Sequence, residues 1–128
     1  MEVIWALLCE GFELLPSGAL TIKRELDKAY CTSFPFQPKP FFLVARVRRD
    51  PIASPGSDLR IMTEVPGGAI INKHPFELRP EAQHLIHEIG NQVFPFPGIY
   101  AFHIVEDGRV IHTVTLQLIH RKLGKDVN

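Results

Sequence analysis

Apolar side chains recur with a period of two along most of the chain. In Phe41–Arg48 the odd positions Phe41, Leu43, Ala45 and Val47 are all apolar, while the even positions become charged at Arg46 and Arg48. That pattern predicts a strand with one face in a core and the other emerging into water. Leu59, Ile61, Thr63 and Val65 alternate in the same way with Asp58, Arg60, Met62 and Glu64. Tyr100, Phe102 and Ile104 alternate with Ala101, His103 and Val105; Leu20, Ile22 and Leu26 keep one phase, broken by Arg24. The phases predict a core of Ile4, Leu8, Leu20, Ile22, Phe41, Leu43, Val47, Leu59, Ile61, Tyr100, Phe102, Ile104, Leu116 and Leu118. A slip of one residue in any strand would turn its set outward.

Turn residues separate these runs. Glu106-Asp107-Gly108-Arg109 sits between two alternating segments, and Asp-Gly supplies the positive φ angles of a tight hairpin. Pro66-Gly67-Gly68 is a second turn, and Pro51 to Ser57 a third connection. Strands are predicted at 3–9, 20–30, 41–48, 58–65, 69–78, 83–89, 99–105 and 110–119. Pro75 confines the fifth to an edge or a bulge. The sixth also fits a short helix over 81–89, opened by Pro80 and closed by Gly90, although strand is the preferred reading. The fold class expected is all-β: an antiparallel sandwich of about seven or eight strands. It fills residues 1–123, with 124–128 a frayed tail.

The opening Met1-Glu2-Val3-Ile4-Trp5-Ala6-Leu7-Leu8-Cys9-Glu10 and Ser17-Gly18-Ala19-Leu20 resembles the start of an uncharacterised family of small bacterial proteins. Phe94-Pro95-Phe96-Pro97-Gly98-Ile99-Tyr100-Ala101-Phe102, followed by the Asp107-Gly108 turn, extends the resemblance over nearly the whole chain. It implies an immunoglobulin-like β-sandwich without an assigned activity, and it supplies no catalytic residues. In sandwiches of that type a tyrosine near the start of the penultimate strand caps a corner with its hydroxyl, and Tyr100 stands at that place.

Composition narrows the class. The chain has 128 residues, 45% of them hydrophobic, with 14 basic and 14 acidic side chains. That suits one folded domain rather than a disordered chain. Positive charge is interleaved with negative; even Arg46, Arg48 and Arg49 run directly into Asp50, which reads as a solvated strand end rather than a nucleic-acid surface. The apolar run Val3–Cys9 is too short to cross a bilayer, and Glu2 precedes it in place of the basic residue of a signal peptide. A cytoplasmic protein without membrane contact is expected. Cys9 and Cys31 are too few for a disulfide scaffold. A hairpin turning near Leu15–Gly18 places Cys9 opposite Ile22 to Arg24, with Cys31 beyond bridging reach, so both thiols are expected reduced.

No sequence motif declares chemistry. His84 and His87 share a helix face but lie on opposite faces of a strand, and no metal-ligand spacing accompanies them. His103 and His112 flank the Asp-Gly turn and read as surface residues. Nucleophile elbow and phosphate-loop motifs are absent, and Gly67-Gly68 is a turn. No catalytic residue, metal or cofactor is assigned.

The function expected is a non-enzymatic interaction or structural module that presents loops and a sheet edge to a protein partner. The alternative is a small-ligand-binding or hydrolytic protein with a site assembled from scattered His and Arg residues. Val3–Cys9 carries few charges to guard an edge, so a homodimer paired through it is an expectation. The binding surface predicted is a repeated tripeptide, Phe34-Pro35-Phe36 and Phe94-Pro95-Phe96. With eight strands both loops leave the same end of the sandwich, where Phe34, Phe36, Phe94 and Phe96 either form an aromatic patch or plug the core.

Overall fold

The computed structural model describes residues 1–49, 57–79 and 81–122. Nine strands follow one another: β1 (Glu2–Leu14), β2 (Leu20–Leu26), β3 (Lys28–Cys31), β4 (Phe41–Arg48), β5 (Leu59–Glu64), β6 (Ile70–Pro75), β7 (His84–Ile89), β8 (Gly98–Glu106) and β9 (Arg109–His120). They form a four-stranded sheet A, order β2-β1-β4-β7, and a five-stranded sheet B, order β3-β9-β8-β5-β6. All pairs are antiparallel except β3 on β9. Residues 84–89 are a strand, which decides against the helix.

One core joins the sheets: Leu8, Leu43, Val47 and Leu85 come from sheet A, and Ile61, Phe102, Ile104, Leu116 and Leu118 from sheet B. The predicted phases of β4, β5, β8 and β9 are therefore those of the fold. Leu20 and Ile22 are only half-buried, and Ile4 is 42% exposed. The reason for Ile4 is a bulge. Val3 pairs with Val47 and Trp5 with Arg46, leaving Ile4 as the extra residue that switches the inward phase from Val3 to Ala6 and Leu8.

The predicted strand 20–30 divides at Asp27. Residues before it pair with β1 in sheet A, and those after it pair with β9 in sheet B, where Gln117 donates its amide to the Asp27 carbonyl at 3.0 Å. This crossover accounts for nine strands where eight are expected. Strand β1 is an edge over part of its length: Glu2–Cys9 pair with β4 on one side, β2 takes the other side only over Leu8–Leu14, and Val3–Leu7 have no strand there among the described residues. The expected open edge is therefore confined to Val3–Leu7. Its Cys9 lies opposite Glu25, one residue from the expected register, and both cysteines are free and buried.

Two turns behave as their residues demand. Asp107 (φ 50°) and Gly108 (φ 79°) close the β8–β9 hairpin. Gly98 (φ 136°) admits no side chain, since a Cβ there would meet the Pro66 ring at 2.6 Å. This close approach seats the β5–β6 turn against the start of β8. As expected, β6 with Pro75 is an edge strand. The expected connection at Pro51 to Ser57 lies outside the described residues save for Ser57, and the tail 124–128 lies wholly outside them.

Candidate functional site

Extra length in β1 creates a concavity. Beyond Cys9, which faces Phe42 near the start of β4, β1 continues to Leu14 with β2 as its partner. This two-stranded arm overhangs a groove of about 650 Å³ among the described residues. Glu10, Arg24 and Leu26 form the arm side, Ala29 comes from the crossover strand, and Phe41, Leu116 and Leu118 make the floor. The opposite wall is Phe36-Gln37-Pro38-Lys39-Pro40, whose prolines stiffen it by fixing φ.

Charge lies only on the rim. Arg24 meets Glu10 at 3.6 Å, an exposed pair that adds little stability. Arg24 is also held at φ 52°, left-handed backbone that costs a non-glycine residue on the order of 1–3 kcal/mol. That conformation explains why Arg24 breaks the apolar phase of Leu20, Ile22 and Leu26. Lys39 adds a second cation on the other wall.

The two Phe-Pro-Phe loops meet at this end. Phe36 and Phe94 exchange both backbone hydrogen bonds at 2.8 Å. The extra strand shifts the count for both connections equally, so they still share one end. Their rings have separate fates. Phe94 is fully buried against Tyr100 and Phe102, which removes it from any exposed patch and makes it the plug of the core. Phe34 packs edge-on against His120, and Phe36 lines the groove. Phe96 is 41% exposed beside Tyr100. The Tyr100 hydroxyl donates to the Phe96 carbonyl and accepts from its amide, the corner expected from its position. Burial pushes that phenol's pKa up, so it stays protonated to donate.

The histidines scatter. On the outer face of sheet B, His103 bridges Thr113 Oγ1 at 2.7 Å and Glu64 Oε1 at 3.1 Å. Carboxylate, imidazole and hydroxyl in that order are the parts of an oriented base and nucleophile. None of the three lines the groove or the small cleft described below, however, and a polar cluster that ties neighbouring strands together is their evident role. His74 and His87 face each other from β6 and β7, the open edges of the two sheets, with ring centroids 6.0 Å apart. They line a small cleft of about 90 Å³ with Thr63 and Gln92. Burial, reinforced by His74, holds the His87 pKa below the ordinary histidine range. Among the described residues no three His, Cys, Asp or Glu side chains are grouped to hold a metal ion.

Of the sequence-predicted site, Phe36 alone belongs to the groove. Glu10, Arg24, Leu26, Ala29 and Lys39 are among the residues that join it without any sequence motif. The one signal was the exceptional Arg24 within an otherwise regular run.

No curated protein matches the chain. A family model described as a family of unknown function (DUF6941) matches residues 4–119, and the chain belongs to that family.

Proposed function

We propose that the chain is a non-enzymatic, immunoglobulin-like binding module whose groove receives an extended apolar segment of a protein partner. The immunoglobulin-like reading draws support from the strand order. Strands β4 and β7 pair in one sheet while β5, β8 and β9 pair in the other, and a short β3 runs parallel to β9 at the margin. The Tyr100 corner belongs to the same pattern. Free, buried cysteines suit a reducing compartment, in keeping with a cytoplasmic location.

The observation that carries the binding role is the groove itself: a preformed, mainly apolar concavity with charge confined to its rim. Its size falls within the roughly 300–1,000 Å³ of ligand sites. A large apolar side chain entering it would cover Phe41, Leu116 and Leu118, and a neighbouring acidic residue would meet Lys39. A proline-stiffened wall loses little conformational freedom on binding. Strain at Arg24 on the opposite wall is the kind retained where a surface is used.

Selection of a random displayed-peptide library against the full chain tests this. Recovered peptides should share one large apolar residue with an acidic neighbour, and filling the groove by Ala29→Trp should abolish their binding while the chain stays folded. Peptides that bind the folded Ala29→Trp variant equally well would refute the groove as the site.

A further inference from the structure

The outer face of sheet A is a second surface, independent of the groove. Leu8, Leu43 and Leu85 point into the shared core, so the alternation turns Leu7, Val44 and Ile86 to the opposite side. These three form one cross-strand row, Leu7 opposite Val44 and Val44 opposite Ile86. An exposed sheet face ordinarily carries polar residues at such positions. Here the centre is entirely apolar.

The flanking rows carry opposite charge. On one side of the centre Trp5, Arg46 and His84 are partners; on the other, Cys9 and Phe42 lie between Glu25 on β2 and Glu88 on β7. The surface therefore has a cationic end at Arg46, an apolar middle and an anionic end. Among the described residues neither Arg46 nor Glu88 has an ion-pair partner within the chain.

We propose that a second copy of the chain covers this face in a two-fold dimer. A two-fold axis along the row Leu7–Val44–Ile86 lays β4 of one copy over β4 of the other and exchanges the ends of the strands. The apolar rows then stack, and Arg46 of each copy comes over the Phe42–Glu88 row of its partner. The face is self-complementary in both apolarity and charge, as an isologous contact requires. Strands β1, β4 and β7, about 4.8 Å apart, lie side by side over about eight residues at about 3.3 Å each, on the order of 400 Å² per copy. Two copies bury roughly 800 Å², below the usual lower bound of about 1,000 Å² for a stable interface, so the dimer is a weak, transient one.

Sedimentation equilibrium on the full chain tests the proposal. The wild-type chain should show a concentration-dependent dimer. Arg46→Glu and Glu88→Arg, both at exposed positions, should each weaken it about tenfold or more, the scale of a broken interfacial ion pair. The double variant, with the charges exchanged, should recover the wild-type constant. A wild-type chain that stays monomeric at millimolar concentration would overturn the proposal. So would a dimer indifferent to Arg46→Glu, or a double variant that fails to recover.

Discussion

The two sheets share a core and turn unlike faces outward. On sheet B, Glu64, His103 and Thr113 join β5, β8 and β9 through side-chain hydrogen bonds. Its polar groups satisfy one another at the water boundary, and nothing need cover them. On sheet A the equivalent row is Leu7, Val44 and Ile86, and Val44 is shut off from solvent although it points away from the core. The difference separates two reasons for burial within one fold. Phe102 is buried because the sheets must join, whereas Val44 is shut off from solvent on the outer side of sheet A, outside that shared core.

The largest expected effect lies beneath both faces. Phe94→Ala removes the plug shared by Tyr100, Phe102 and Phe41, and should cost about 3–5 kcal/mol in urea unfolding. Both sheets should be lost in one transition; separate transitions would break the picture of a single shared core. Val44→Ala on the outer side of sheet A should cost about 1–2 kcal/mol, the loss expected for two buried methyl groups. On sheet B, Thr113→Val removes a hydrogen bond at a wet surface and should cost roughly 0.5–1 kcal/mol. A larger loss for Thr113→Val than for Val44→Ala would reverse the contrast between the faces.

A smaller effect concerns the side where β6 and β7 leave the sheets unconnected. The folded chain holds His87 below its ordinary pKa of 6.5, so folding favours the neutral ring. That contribution is intact above pH 6.5 and is lost as the pH falls from there through the lowered folded value. Stability followed by denaturant titration should decline over this acid interval, and His87→Gln should flatten the decline. An unchanged slope in the variant would assign the acid sensitivity to other groups.

Much of the fold is legible in the sequence because alternation reports burial directly. The phases of β4, β5 and β8 and the Asp107–Gly108 hairpin needed only local information. Ile4 did not yield to it, because a bulge inserts one residue without changing the apolar character of Val3–Cys9. Asp27 also hid the crossover: a single residue separates β2 from β3, and both halves keep a strand-like composition. The groove was still less accessible, since Glu10, Arg24, Ala29, Phe36 and Leu116 meet only through tertiary structure. Phe-Pro-Phe repetition placed two loops together but left the burial of each ring to be set by its surroundings. The run Phe41-Phe42-Leu43-Val44-Ala45 held the clearest hint of the outer face, because the even positions Phe42 and Val44 are apolar where water would call for polar residues.

Trp5, the chain's only tryptophan, lies on that face beside Arg46 and reports on it without labelling. Its fluorescence should be followed with acrylamide quenching across a dilution series of the wild-type chain and of Arg46→Glu. A covered face requires the wild-type emission to shift to shorter wavelength and the quenching to weaken as concentration rises, with neither change in Arg46→Glu. Emission and quenching that stay constant at all wild-type concentrations would contradict packing of sheet A against a second copy.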